Sequence, residues 1–278
     1  MLRTRVITAV FLVAAFLSAL FYLPPLGWVI FAALVAAVAA WEWGALMGLG
    51  ATARLALGGV TMAICAAVTT LDPIALGIGP DSSGAAWRLG RWFYLPTAAF
   101  WLLLVPAWMK RRWPLPKSAA GLAIGALLIL PTWLALVQLR QAGAPALLAI
   151  MAVVWLADIA AYFSGRTFGK HKLAPAISPG KTWEGAIGAA IAVLVYGFIL
   201  SSNLPSVLAT NHALLFVVLL LLTAVSIIGD LFESLLKRQA GLKDSSSILP
   251  GHGGVLDRID SLTSTLPLLA LLWLGILR

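Results

Sequence analysis

Apolar runs long enough to cross a bilayer alternate with short polar breaks along the whole chain. A crossing helix needs about 20 mostly apolar residues. Nine runs come near that length, at 6–23, 26–42, 55–71, 92–109, 119–137, 146–163, 185–202, 212–232 and 262–277. Lipid offers no partner for backbone N–H and C=O groups, so the runs predict helices and not strands. The expected fold is therefore all-α: a polytopic integral membrane protein of about nine transmembrane helices. The first run follows a basic start and passes into Pro24-Pro25 without a small-residue cleavage site, so it reads as a span. The longest polar segments are 72–91, 164–184 and 233–261. They suggest N-terminal helices over 1–91, middle helices over 92–145, and a catalytic region with cytoplasmic loops over 146–278.

Composition agrees with lipid as the main solvent. Hydrophobic residues fill 62% of the 278 positions and charged residues 10%, against roughly 25% charged in soluble domains. The formal charge of +9 lies in short loops between apolar runs, so it signals topology and anionic lipid rather than nucleic acid. With the N-terminus placed inside, 15 of the 19 Lys and Arg residues fall on the cytoplasmic side and 4 outside. The single cysteine, Cys65, excludes a disulfide framework and a cysteine zinc site. Asp72 and Asp81 fall in the outer loop. The other eight acids, Glu42, Asp158, Glu184, Asp230, Glu233, Asp244, Asp257 and Asp260, fall inside or at inner span ends. Ionisable groups at membrane depth are costly and mark functional sites, which points to a polar site at the cytoplasmic face.

Two segments carry the candidate chemistry. In the segment from Ser234 to Asp260, Asp257 and Asp260 are three apart and share one helical face. With Asp230 they can hold a hard divalent cation, which takes oxygen ligands and bridges carboxylates to phosphates. Lys237, Arg238, Lys243 and Arg258 supply positive charge for phosphate oxygens. Pro250-Gly251-His252-Gly253-Gly254 forms a loop that allows close backbone approach to an anion, and His252 is its titratable member. The earlier segment runs from Asp158 to Gly185 and holds Arg166, Lys170, Lys172 and Lys181 in a Gly/Pro-shaped loop suited to polyphosphate. Ser178 to Thr182 looks like the end of a P-loop. Pro175 stands where that motif needs glycine, and an apolar helix precedes it instead of a strand, so a P-loop NTPase is excluded. The 12 tryptophans gather near run ends, as an interfacial belt would.

These residues bear a resemblance. Ser234-x-Leu236-Lys237-Arg238, Lys243-Asp244 and Pro250-x-His252-Gly253-Gly254-x-x-Asp257-Arg258-x-Asp260 are similar to the signature of the phosphatidate cytidylyltransferases, the CDP-diacylglycerol synthases. The stretch from Asp158 through Tyr162-Phe163 and Gly165-Arg166 to Ser178-Pro179 and Lys181-Thr182-Trp183-Glu184-Gly185 also resembles the family, with Gly180 where relatives often carry lysine. The resemblance covers the C-terminal half; the first half shares only hydropathy. It implies CTP and phosphatidic acid as substrates, CDP-diacylglycerol and pyrophosphate as products, and a role in phospholipid biosynthesis. It further implies Mg²⁺ with a second, monovalent cation such as K⁺, a homodimer, and the bacterial inner membrane. By position, Asp230, Asp257 and Asp260 become the metal carboxylates and, with Lys237, Arg238 and Arg258, the catalytic set. Asp158, Arg166, Lys170, Ser178, Lys181, Thr182, Glu184, Lys243, Asp244, His252, Gly253 and Gly254 become substrate-binding. Two alternatives stay open at this point. One is a related enzyme acting on an isoprenoid lipid, of the CDP-archaeol synthase or polyprenol kinase type. The other is a cation-coupled transporter using Asp158 and Asp230.

Overall fold

A computed structural model describes residues 2–79 and 88–275. Asp81, the last two residues of the ninth run and Arg278 lie outside them. The chain is helical: α1 Leu2–Tyr22, α2 Pro25–Leu46, α3 Ala51–Leu71, α4 Arg88–Ala99, α5 Val105–Arg111, α6 Ala119–Arg140, α7 Ala144–Phe168, α8 Trp183–Ile199, α9 Ser206–Thr210, α10 His212–Gln239 and α11 Leu256–Gly275. Each of the nine apolar runs falls on a helix, with α4 and α5 forming one rod. Among the described residues, six helices are both long and apolar enough to cross a membrane: α2, α3, the α4–α5 rod, α6, α7 and α10. Val6–Tyr22 and Trp183–Ile199 are shorter apolar helices. The described strands pair antiparallel in the polar segment between α7 and α8, β1 Lys172–Ala174 against β2 Ser178–Thr182, with Lys172 opposite Thr182.

Prolines inside the helices decide several tertiary contacts. A proline has no N–H, so it leaves the carbonyl four residues earlier without its helical donor. In lipid that carbonyl needs another donor. Pro131 releases the carbonyl of Leu127, and Thr97 Oγ1 donates to it at 3.1 Å from α4. Pro267 releases the carbonyl of Thr263, and Trp101 Nε1 donates to it at 3.0 Å. Just before Pro106 the rod widens into a π turn over Phe100–Leu104, where the Val105 amide donates to the carbonyl of Phe100.

These bonds correct the expectation of a tryptophan belt. Trp28, Trp43, Trp101 and Trp133 are fully buried. The first two donate their indole N–H to the carbonyls of Leu136 and Gly121, at 3.2 and 3.0 Å. Each buries a large ring and satisfies its one polar atom on a neighbouring backbone, which is how tryptophan becomes a core residue. Trp92 and Trp183 are exposed, as a belt residue is.

One hydrophobic cluster joins α2, the α4–α5 rod and α6 to parts of α10 and α11. A second joins α7 and α8 to α10 and α11. Helices α10 and α11 thus belong to both, and the polar site lies at one end of them. Helices α7 and α8 touch closely. A Cβ on Gly185 would lie 2.9 Å from the Ala161 carbonyl oxygen, so only glycine allows this spacing. Cys65 is buried in α3, as its apolar run predicts.

Candidate active site

Both candidate segments meet at one cavity of about 590 Å³. From the last turns of α7 come Asp158, Tyr162 and Arg166. From the β hairpin come Ser178, Lys181 and Thr182. The C-terminal part of α10 adds Asp230 and Lys237, the following loop adds Asp244, and the start of α11 adds Asp257, Arg258 and Asp260. Eleven of the expected site residues therefore converge there, from α7, the hairpin, α10, the loop after it and α11. Lys170, Glu184, Arg238, Lys243, His252, Gly253 and Gly254 do not line it. Arg238, Lys243 and Lys170 are exposed around it.

Local chemistry builds each wall. Thr182 caps α8: its Oγ1 accepts from the Gly185 amide at 3.1 Å, which fixes the end of β2 against the helix. Glu184 in the first turn of α8 turns back to the hairpin. Its Oε1 lies 2.7 Å from His171 Nδ1, and the His171 amide donates to the carboxylate at 3.2 Å. Bonding to its own amide, then to the His171 side chain, holds the Glu184 carboxyl down at about 2. Glu184 thus shapes the hairpin rather than facing the cavity.

The acids facing the cavity divide into two kinds. Asp257 has every oxygen engaged. Its Oδ1 accepts from Lys237 Nζ at 2.6 Å. Its Oδ2 accepts from the Ser245 amide at 2.9 Å, the Ser245 hydroxyl at 3.0 Å and the Gly254 amide at 2.7 Å. The last of these is a capping contact, a first-turn carboxylate reaching back to an amide ahead of its helix. Gly253 has φ +79°, and a Cβ there would lie 2.7 Å from Asp257 Oδ2, so this turn needs glycine. Lys237 is shared, with Glu233 Oε1 at 3.2 Å, and all three side chains are nearly inaccessible. Asp230, Asp260 and Asp158 are more open. Asp230 pairs with Lys181 from the hairpin and accepts from Ser234 Oγ at 3.2 Å. Asp260 Oδ1 accepts from the Ser261 amide at 2.6 Å.

A divalent cation fits this donor set in one way. Among the described residues no three His, Cys, Asp or Glu side chains gather to hold an ion by themselves. Mg²⁺ does not require that: it is commonly bound by one or two carboxylates plus substrate phosphates and water. Asp230 and Asp260 on the cavity wall meet that need, with Asp158 beside them. Asp257, expected as a third ligand, is committed to Lys237 and three N–H and O–H donors.

Sequence reasoning gave no role to Glu42. This residue lies four positions before the end of α2 and is wholly buried. It accepts from Ser246 Oγ at 2.6 Å, Ser245 Oγ at 3.1 Å, the Val255 amide at 2.9 Å and the Leu256 amide at 2.5 Å. An acid ending an apolar run was the available signal. Its partners lie more than 200 positions away, and no local pattern reveals them.

Helices with apolar surfaces, ending in a cavity where carboxylates face Arg166, Lys181 and Arg258, define a membrane protein with a charged site at the ends of its helices. The Cytidylyltransferase family profile matches residues 3–274. A phosphatidate cytidylyltransferase of Pseudomonas aeruginosa is 42% identical, over 98% of this chain and 97% of its own length. Proteins of the same name from Haemophilus influenzae and Brucella suis are 38% and 39% identical, over 96% and 97% of this chain. The chain belongs to the cytidylyltransferase family, and it is a nucleotidyltransferase. The likeness extends through the first half, where the motifs were silent.

Proposed function

We propose that the chain makes CDP-diacylglycerol and pyrophosphate from CTP and phosphatidate. The observation that carries this reading is the convergence of both motif segments on one cavity that mixes carboxylates with Arg166, Lys181 and Arg258. The relatives' name supplies the substrate class.

A phosphate oxygen of phosphatidate attacks the α-phosphorus of CTP. A new P–O bond forms, the bond to the β-phosphate breaks, and pyrophosphate leaves with its electron pair. The nucleophile is already an anion, so no strong base is needed. The barrier is the approach of two anions, and the protein lowers it by positioning and by placed positive charge. Arg166, Lys181 and Arg258 on the cavity wall supply the positive charge for the phosphates. Asp230 and Asp260 would hold Mg²⁺, which supplies charge neutralisation at the phosphates. Lys237 keeps Asp257 and the start of α11 in place.

The N-terminus lies in the cytoplasm and nine helices cross the bacterial inner membrane, consistent with the Lys and Arg bias. Phosphatidate then reaches the site from the inner leaflet and CTP from the cytosol. The protein works as a homodimer. Family membership decides for an enzyme over a transporter.

Pyrophosphate release in mixed micelles tests the substrate. Release that needs both CTP and phosphatidate is expected. Release only with a phosphorylated isoprenoid lipid overturns the assignment.

A further inference from the structure

Glu42 stands apart from the other described acids. It is 0% exposed, and among the described residues it has no ion-pair partner. Its carboxylate is balanced by neutral donors instead: the Ser246 hydroxyl, the amides of Val255 and Leu256, and the Ser245 hydroxyl, whose single proton it shares with Asp257. Those amides open α11, where a helix presents unsatisfied N–H groups and the positive end of its dipole. One carboxylate from α2 therefore holds both the loop and the first turn of α11.

That first turn carries Asp257 and Arg258, and Asp260 follows it directly. The link is direct at Ser245, whose hydroxyl lies 3.1 Å from Glu42 Oε2 and 3.0 Å from Asp257 Oδ2. Gly254 makes room for it: a Cβ there would run into Ser245 Oγ and Glu42 Oε1. The glycine that the motif places near substrate thus serves the approach of Glu42.

We infer that Glu42 is a positioning residue for the cytidylyl transfer, clamping the 245–256 segment so that Arg258 and Asp260 meet the reacting phosphates. The inference rests on the proposed reaction. The hydrogen-bond partners of Glu42, Ser245, Ser246, Val255 and Leu256, are not among the cavity-lining residues, so its loss disturbs geometry more than substrate binding. The substrates' other contacts, Arg166 and Lys181, stand on α7 and the hairpin and are untouched.

The test compares wild type, Glu42→Gln, Gly254→Ala and a control, Gln138→Ala. Gln138 is buried and bonded to Tyr94 and the Ala75 carbonyl, away from the cavity. In Glu42→Gln, kcat is expected to fall at least tenfold, with KM for CTP and phosphatidate within threefold. Gly254→Ala should behave alike. Gln138→Ala, assayed well below its melting temperature, should keep kcat. Hydrogen exchange gives a readout independent of turnover: residues 245–256 should lose protection in Glu42→Gln and keep it in Gln138→Ala. Unchanged kcat in Glu42→Gln beside an active wild type, or unchanged exchange over 245–256, overturns the clamp. An inactive wild type overturns the reaction instead, and the exchange result still decides the clamp.

Discussion

Removing the Lys237 ammonium is the sharpest structural perturbation available at this site. Lys237 Nζ lies 2.6 Å from Asp257 Oδ1 and 3.2 Å from Glu233 Oε1. The three side chains are 11%, 3% and 6% exposed, so water does little to screen them. Lys237→Met keeps most of the stem but leaves two carboxylates without their shared cation. Breaking a buried pair this way costs about 3–5 kcal/mol. Lys181→Met provides the contrast. Its pair with Asp230 is about a quarter exposed on both sides, and such pairs contribute ~0–1 kcal/mol. For a chain of this size 1 kcal/mol moves the melting temperature by roughly 2–4 °C. Lys237→Met should therefore melt on the order of 10 °C below wild type, and Lys181→Met within about 4 °C of it. Tryptophan fluorescence of detergent-solubilised protein at pH 7 follows both. Equal melting temperatures for the two variants would refute the burial argument. Turnover should fall in both variants, but Lys181→Met should lose it while remaining folded.

Asp230→Asn and Asp260→Asn should each lower kcat by at least 100-fold with melting temperatures near wild type, because these acids face the cavity; near-normal turnover at matched protein levels would remove them from the site. Asp257→Asn should lose turnover and also melt lower, since it breaks the Lys237 contact and weakens three others. Gly185→Ala should cost about 1–3 kcal/mol through overpacking of α7 on α8, read as a lower melting temperature. Lys172→Ala should be mild, because Lys172 stands at the exposed end of β1 and lines no part of the cavity. The Glu184 carboxyl is depressed from 4.5 to about 2. Its hold on the hairpin is thus complete above pH 4.5 and lost only as pH falls through about 2. Glu184→Gln should therefore leave the acid limb of the kcat/KM profile above pH 5 unmoved; a shifted limb would assign that titration to Glu184.

Hydropathy carried the helices, because a lipid solvent makes a long apolar run nearly synonymous with one. The two polar segments carried the site, because phosphate chemistry needs acids and bases together at places where membrane proteins otherwise avoid them. What stayed hidden were contacts set by packing. Pro131 and Pro267 are visible in the sequence, yet nothing there says that Thr97 and Trp101 supply the donors their carbonyls need. Trp43 and Trp28 looked like belt residues because they sit at run ends; the helix partners decide that they are buried. Asp257 and Asp260 share a helical face and read as twins. Both line the cavity, and only the loop between α10 and α11 shows that Asp257 also holds the backbone ahead of its helix. Glu42 is the extreme case, a lone acid whose partners lie at the far end of the chain.

The account stands or falls on one assay. Purified protein in mixed micelles is given labelled CTP, phosphatidate and Mg²⁺, and label is followed into chloroform. The account predicts lipid-phase label that requires phosphatidate, disappears with EDTA, and is lost in Asp260→Asn. Folded wild-type protein that delivers no label, or an Asp260→Asn variant that delivers as much as wild type, would contradict it.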